Sequence, residues 1–160
     1  MFIMSRLPIT QEGYNQLQER LRYLREEKKP AIISAIASSR ELGDLSENAE
    51  YQEARKEQSF VEGEIIKIEN QLANAEIVKT AQLSGNIVKF GAFVTILNQE
   101  NEKILTYQVV SNVEADIAKK KISISSPIGK ALINKKLGDV VEVLLPGGSK
   151  YYEILKVEFK

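Results

Sequence analysis

From Tyr51 to Ala75 the apolar positions recur in steps of three and four without a slip: Tyr51, Ala54, Gln58, Val61, Ile65, Ile68, Leu72 and Ala75, of which only Gln58 is polar. A run patterned this way is one long helix with a single apolar stripe, and the stripe demands a partner helix. The partner lies upstream. Tyr14, Leu17, Leu21 and Leu24 keep the same alternation, and Thr10 stands before them as an N-cap. Pro30 interrupts this first arm and predicts a kink or a restart, beyond which Ile32, Ile33 and Ile36 resume an apolar face. Between the two arms lies the run from Arg40 to Glu47, in which Gly43 is a natural helix stop. A turn this short makes the helices antiparallel. About 30 residues per arm give a rod of ~45 Å with the Gly43–Asn48 turn at its far end. Such a rod is either an interaction or dimerisation coiled coil or a finger that reaches into a narrow space, and periodicity does not separate the two.

The period changes near Gly85. Asn86–Phe90, Ala92–Leu97 and Ile104–Val110 are short runs rich in Val, Ile, Phe, Thr and Tyr, and Ile122–Ser125 alternates with period two. Ser126 can cap a helix with Pro127 in its first position, running through Ala131 and Leu132 and stopping near Gly138. Val140–Leu145, a turn at Pro146-Gly147-Gly148 and Tyr151–Phe159 predict a closing hairpin. The expected architecture is therefore α+β. A long antiparallel helical hairpin over residues 1–80 precedes a small antiparallel sheet with one short helix over residues 81–160.

Composition narrows the chemistry. The chain has no histidine and no cysteine, so nucleophilic triads and the usual zinc sites are excluded. Metal chemistry must then run through carboxylates, which favours a hard ion such as Mg²⁺. A formal net charge of +0 argues against a free-standing nucleic-acid binder held mainly by phosphates. All the arginines (Arg6, Arg20, Arg22, Arg25, Arg40 and Arg55) nevertheless fall in the first half. No run is apolar enough to cross a membrane, and no leader pattern opens the sequence.

At the turn, Asp44 and Glu47 are three residues apart. As a variant capping box they would simply start a helix. Carried at the apex of a rod, they could instead enter another molecule's metal site, since Mg²⁺ takes only one or two protein carboxylates. Arg40 and Arg55 flank them on opposite arms. They are either ordinary surface charges paired with Glu41, Glu50 or Glu53, or contacts to RNA or DNA phosphates.

The run Gly43-Asp44-Leu45-Ser46-Glu47-Asn48-Ala49-Glu50-Tyr51, continuing to Ala54 and Arg55, resembles the signature of the GreA/GreB family of bacterial transcript cleavage factors. Further matches run through Pro8, Thr10 and Gly13, Pro30–Ile36, Glu114–Asp116, Ile122–Ile128 and Pro146–Gly148. Departures include Leu42 where His is frequent, the run Lys119–Lys121, and Asn134 where Gly is frequent. None removes a tip acid.

This resemblance implies a cytoplasmic, monomeric cofactor protein that is not itself an enzyme. It would enter the secondary channel of a backtracked RNA polymerase and stimulate cleavage of the nascent RNA 3′ end. Asp44 and Glu47 would help hold a Mg²⁺ shared with the polymerase, with no ion expected in the isolated protein. Arg40 and Arg55 would touch nucleic acid, RNA first and DNA as a further contact. The second domain, similar to FKBP folds, would dock on the polymerase through Ser126, Pro127 and Ile128. Two rivals predict otherwise: a relative of the same shape that inhibits, and a coiled-coil adaptor whose tip matters only for stability.

Overall fold

The computed structural model describes residues 6–41, 48–79 and 84–160, and these form two compact units. Tyr14–Ala75 make up the helical unit, whereas Leu7–Gly13 belong with Glu76–Lys160. Elements follow in the order β1 (Leu7–Ile9), α1 (Gln11–Tyr23), a π-helical turn (Leu24–Lys28), α2 (Lys29–Arg40), α3 (Ala49–Ala73), β2 (Ala75–Ile77), β3 (Phe93–Asn98), β4 (Ile104–Val110), a 3₁₀ turn (Ile117–Lys119), β5 (Lys121–Ser123), α4 (Pro127–Leu132), β6 (Val140–Leu145) and β7 (Gly148–Glu158).

In the helical unit the predicted stripe is the core. Leu24, Ile32, Ile36, Ala54, Val61, Ile65 and Ile68 are buried together, with Leu17, Leu21, Tyr51 and Leu72 packed at the margins. The arms run antiparallel: Asn48 bonds Ser39, Glu57 pairs with Lys28 and Glu64 with Arg20, so one number rises as the other falls. Pro30 does not break the first arm. Just before it the Lys29 N–H donates to the Leu24 carbonyl, five residues back, and this wider turn accommodates a proline that has no N–H of its own. The extra residue also sets the seam. Burial steps from Leu24 to Ile32 and then to Ile36, eight and four residues. A seven-residue step would have put Ala31 inward, and the π turn absorbs the ~100° that one more residue adds. Ile33 is consequently 50% exposed and does not share the apolar face expected for it.

The second unit holds a five-stranded sheet in the order β5-β4-β3-β7-β6. It is mixed, not wholly antiparallel as expected, because β5 lies parallel to β4 (Val109 opposite Ile122). The chain from Ser111 to Lys120 makes a return loop long enough to bring it back in the same direction. A bulge between Thr95 and Ile96 shifts the β3–β7 register. Alternate residues Val94 and Ile96 of β3, Val141 and Val143 of β6, and Ile154 of β7 point to one face, where Leu132 of α4 covers them.

Two further expectations are corrected. Asn86–Phe90 is not a strand, since only Ile87 makes an isolated bridge, to Lys136, although Val88 is fully buried. The helix after Pro127 ends at Leu132, well before Gly138, because Ile133 turns extended and Asn134 adopts a left-handed φ of 64°.

Thr10 caps α1 as predicted, its Oγ1 accepting the Gly13 N–H at 3.0 Å. The same hydroxyl donates to Glu114 Oε1, and the Thr10 N–H donates to Glu114 Oε2 at 3.1 Å. Ser111 Oγ donates to that oxygen too, at 3.0 Å. Gly13 must be glycine here, since a Cβ would fall 2.1 Å from Glu114 Oε1. Replacing Glu114 by Ala should leave three buried donors without an acceptor and lower stability by about 2–4 kcal/mol in denaturant unfolding. A loss below that of an ordinary surface substitution would show that the carboxylate is dispensable.

Candidate functional site

The described ends of the two arms define what approaches the turn. Arg40 closes α2 and is exposed, and directly before it Ser39 is buried, its Oγ donating to the Ala35 carbonyl at 2.8 Å. Across from it α3 opens with Asn48 as N-cap. The Asn48 Oδ1 accepts the Tyr51 N–H at 3.1 Å, and its Nδ2 donates to the Ser39 carbonyl at 2.7 Å. One side chain thus satisfies an orphan amide of α3 and bonds a carbonyl in the last turn of α2, linking the two helix ends. Glu50 in the first turn of α3 suits the positive end of its dipole. Asp44 and Glu47 lie outside the described residues, as does the capping box they could have formed. The cap of α3 itself is Asn48.

Charge along the hairpin is unevenly neutralised. Arg22 bonds Glu19, Glu26 and Glu27, which holds its guanidinium above its ordinary pKa and, through the Arg22 hydrogen bond, draws that of Glu19 below its own. Arg25 pairs with Glu69 at 2.8 Å, and Lys28 is held above its ordinary pKa chiefly by its hydrogen bond to Glu57. Arg40 and Arg55 differ. Among the described residues neither makes an ion pair, so pairing with Glu41, Glu50 or Glu53 is not what holds them. Among the described residues, Arg55 Nη1 donates to Gln58 Oε1, at 2.9 Å. Both are exposed cations.

Two sequence-family matches cover nearly all of the chain: "Transcription elongation factor, N-terminal" over residues 7–77 and "Transcription elongation factor, GreA/GreB, C-term" over residues 83–159. The chain belongs to the GreA/GreB family of transcription elongation factors. It is 56% identical to the transcription elongation factor GreA of Neorickettsia sennetsu, over 98% of this chain and 99% of that protein. To the GreA of Rhodospirillum rubrum it is 48% identical, again over 98% and 99%. Among solved structures it is similar to GreA factor homolog 1 (Gfh1) of Thermus thermophilus, at 27% identity, 96% and 99% coverage and a TM-score of 0.44.

The second predicted surface of this family member lies in the sheet unit. Ser126 caps α4 as expected, its Oγ accepting the Gly129 N–H at 3.1 Å and donating to the Ser123 carbonyl at 2.6 Å. Pro127 is exposed in the first helical position, whereas Ile128 is half-buried against the sheet core. Pro127 and parts of Ser126 and Ile128 therefore present surface to a partner. Among the described residues no cluster of three or more acidic side chains could hold a metal ion alone.

Asn48 was legible but overlooked: asparagine is among the best N-caps, and it stands directly before a helix-forming Ala-Glu pair. Asn48→Ala should cost about 1–2 kcal/mol and speed amide exchange at Tyr51. Asn48→Asp keeps the cap and loses only the Nδ2 donor, so it should cost less. Equal losses for the two would mean that the cap on Tyr51 contributes nothing, whereas no loss in Asn48→Asp would mean that the link to Ser39 contributes nothing.

Proposed function

We propose that this GreA/GreB-family protein enters the secondary channel of a backtracked bacterial RNA polymerase and stimulates the polymerase's own Mg²⁺-dependent cleavage of the nascent RNA 3′ end. The observation that carries this reading is the Gly43–Tyr51 signature set between two helices whose ends are stitched by Asn48, in a chain related over nearly its whole length to proteins named GreA. The polymerase supplies the active site and this protein supplies side chains, so it acts as a cofactor protein in the cytoplasm, as a monomer.

The donor set fits a hard ion. With no histidine or cysteine in the chain, Asp44 and Glu47 offer only carboxylate oxygens, and a shared Mg²⁺ accepts one or two of these while keeping waters and partner ligands. Bound there, the ion would lower the pKa of an attacking water and stabilise charge on the cleaved phosphodiester. The part of Asp44 and Glu47 is to place negative charge at that ion. Exposed and free of ion pairs among the described residues, Arg40 and Arg55 are suited to bind phosphates of the extruded RNA, with a further contact to DNA. The turn at Ser126, Pro127 and Ile128 docks the sheet unit on the polymerase surface. An inhibitory relative would not need both tip acids, and this chain keeps both.

Asp44→Asn separates chemistry from stability, because asparagine is nearly isosteric with aspartate and α3 has its own cap in Asn48. Stimulated cleavage in a purified backtracked complex should fall at least about tenfold, the lower end for disturbing a metal site, at unchanged Tm. Cleavage at the wild-type rate across a Mg²⁺ titration would refute the metal role. Arg55→Ala should weaken stimulation and flatten its salt dependence by about one phosphate contact, with stability kept. An unaltered salt slope would count against phosphate binding.

A further inference from the structure

We infer that Asn112 is a positioning residue that locks the turn preceding α4 into the shape the polymerase docks on; this rests on the docking role given above to Ser126, Pro127 and Ile128. Asn112 follows β4, and its Oδ1 accepts from the hydroxyls of two residues on the other side of that turn, Ser123 and Ser125, the latter at 2.5 Å. The two hydroxyl oxygens lie 2.8 Å apart, and Ser123 Oγ also accepts the Ser125 N–H at 3.0 Å. One residue on, the Ser126 N–H and Oγ both donate to the Ser123 carbonyl, at 3.0 and 2.6 Å. Ser123 is thus tied to Asn112 on one side and to Ser126 on the other, and the position of Pro127 follows from both. Gly129 tightens the arrangement, since a Cβ there would lie 2.0 Å from the Ser123 carbonyl oxygen.

The other end of the lock is rigid as well. Ser111, directly before Asn112, is buried, its carbonyl accepting from the Glu114 and Ala115 amides at 3.1 Å each and its hydroxyl held by Glu114. Asn112 itself is exposed, as is Ser125. Hydrogen bonds among exposed groups contribute little net stability, because water satisfies the same atoms when they part. What the network does change is the number of conformations the turn must give up when a partner lands on it, which is where pre-organisation enters affinity.

The test uses the full chain with polymerase. In Asn112→Ala the factor concentration giving half-maximal cleavage stimulation should rise roughly three- to tenfold, with the maximal rate and Tm unchanged. Exchange of the Ser125 amide should accelerate. Asn112→Asp retains the oxygen acceptor and should restore both readouts. An unchanged half-maximal concentration, or an unchanged Ser125 exchange rate, overturns the inference. Pro127→Lys, at an exposed position of the same turn, separates this from the docking reading. If that variant weakens association and Asn112→Ala does not, only the role of Asn112 has failed. If neither does, the docking reading has failed.

Discussion

A carboxylate taken out of water costs several kcal/mol unless its lone pairs are filled, and Glu114 meets that cost with three donors from two distant parts of the chain. The donors on Thr10 are 104 residues away in sequence. Without them the opening strand and the first turn of α1 would have little to fold against. With them, Leu7–Gly13 join the sheet unit although they precede the helical one in sequence, and β1 pairs with β2, the Val78 N–H donating to the Ile9 carbonyl at 2.8 Å. Thr10 serves two structures with one hydroxyl, accepting from Gly13 to cap α1 and donating to Glu114. The glycine at position 13 belongs to the same arrangement, since any side chain there would displace the carboxylate.

Patterns local in sequence were readable, and those that depend on distant partners were not. The three-four alternation announced the seam because each residue's inward direction is set by helix geometry alone. Ser126 and Pro127 announced α4, and β4 and β6 stand at the residues their composition indicated. The role of Glu114 was hidden, because nothing near it in sequence tells a buried acceptor from a surface acid. Parallel pairing of β5 was hidden for the same reason: strand direction is decided by a return loop, whereas alternation gives only the face. The π turn could be foreseen as a disturbance at Pro30 but not as an added residue of phase, which shows itself only when the burial of Ile32 is compared with that of Ile33. Of the candidate site, the turn before α4 and both flanking arginines were anticipated as residues. The freedom of those arginines from ion pairs among the described residues could not be, because nearby glutamates make pairing seem the default.

The distribution of ion pairs along the hairpin is itself informative. Exposed pairs of this kind contribute at most about 1 kcal/mol each and often nothing, so they are poor explanations for why the arms hold together. Their more useful effect is on the surface field. Arg20, Arg22, Arg25 and Lys28 are each paired with glutamates on their own or the opposite arm. Arg40 and Arg55, near the turn, keep their charge available.

The position of the α3 cap bears on the same question. If Asp44 and Glu47 were there to start the second arm, α3 would have no use for another capping side chain. Instead Asn48 accepts the Tyr51 amide and reaches back to the Ser39 carbonyl, so the side chain that caps α3 is neither acid. The N-cap of α3, the place a capping box built on the two acids would have claimed, belongs to Asn48.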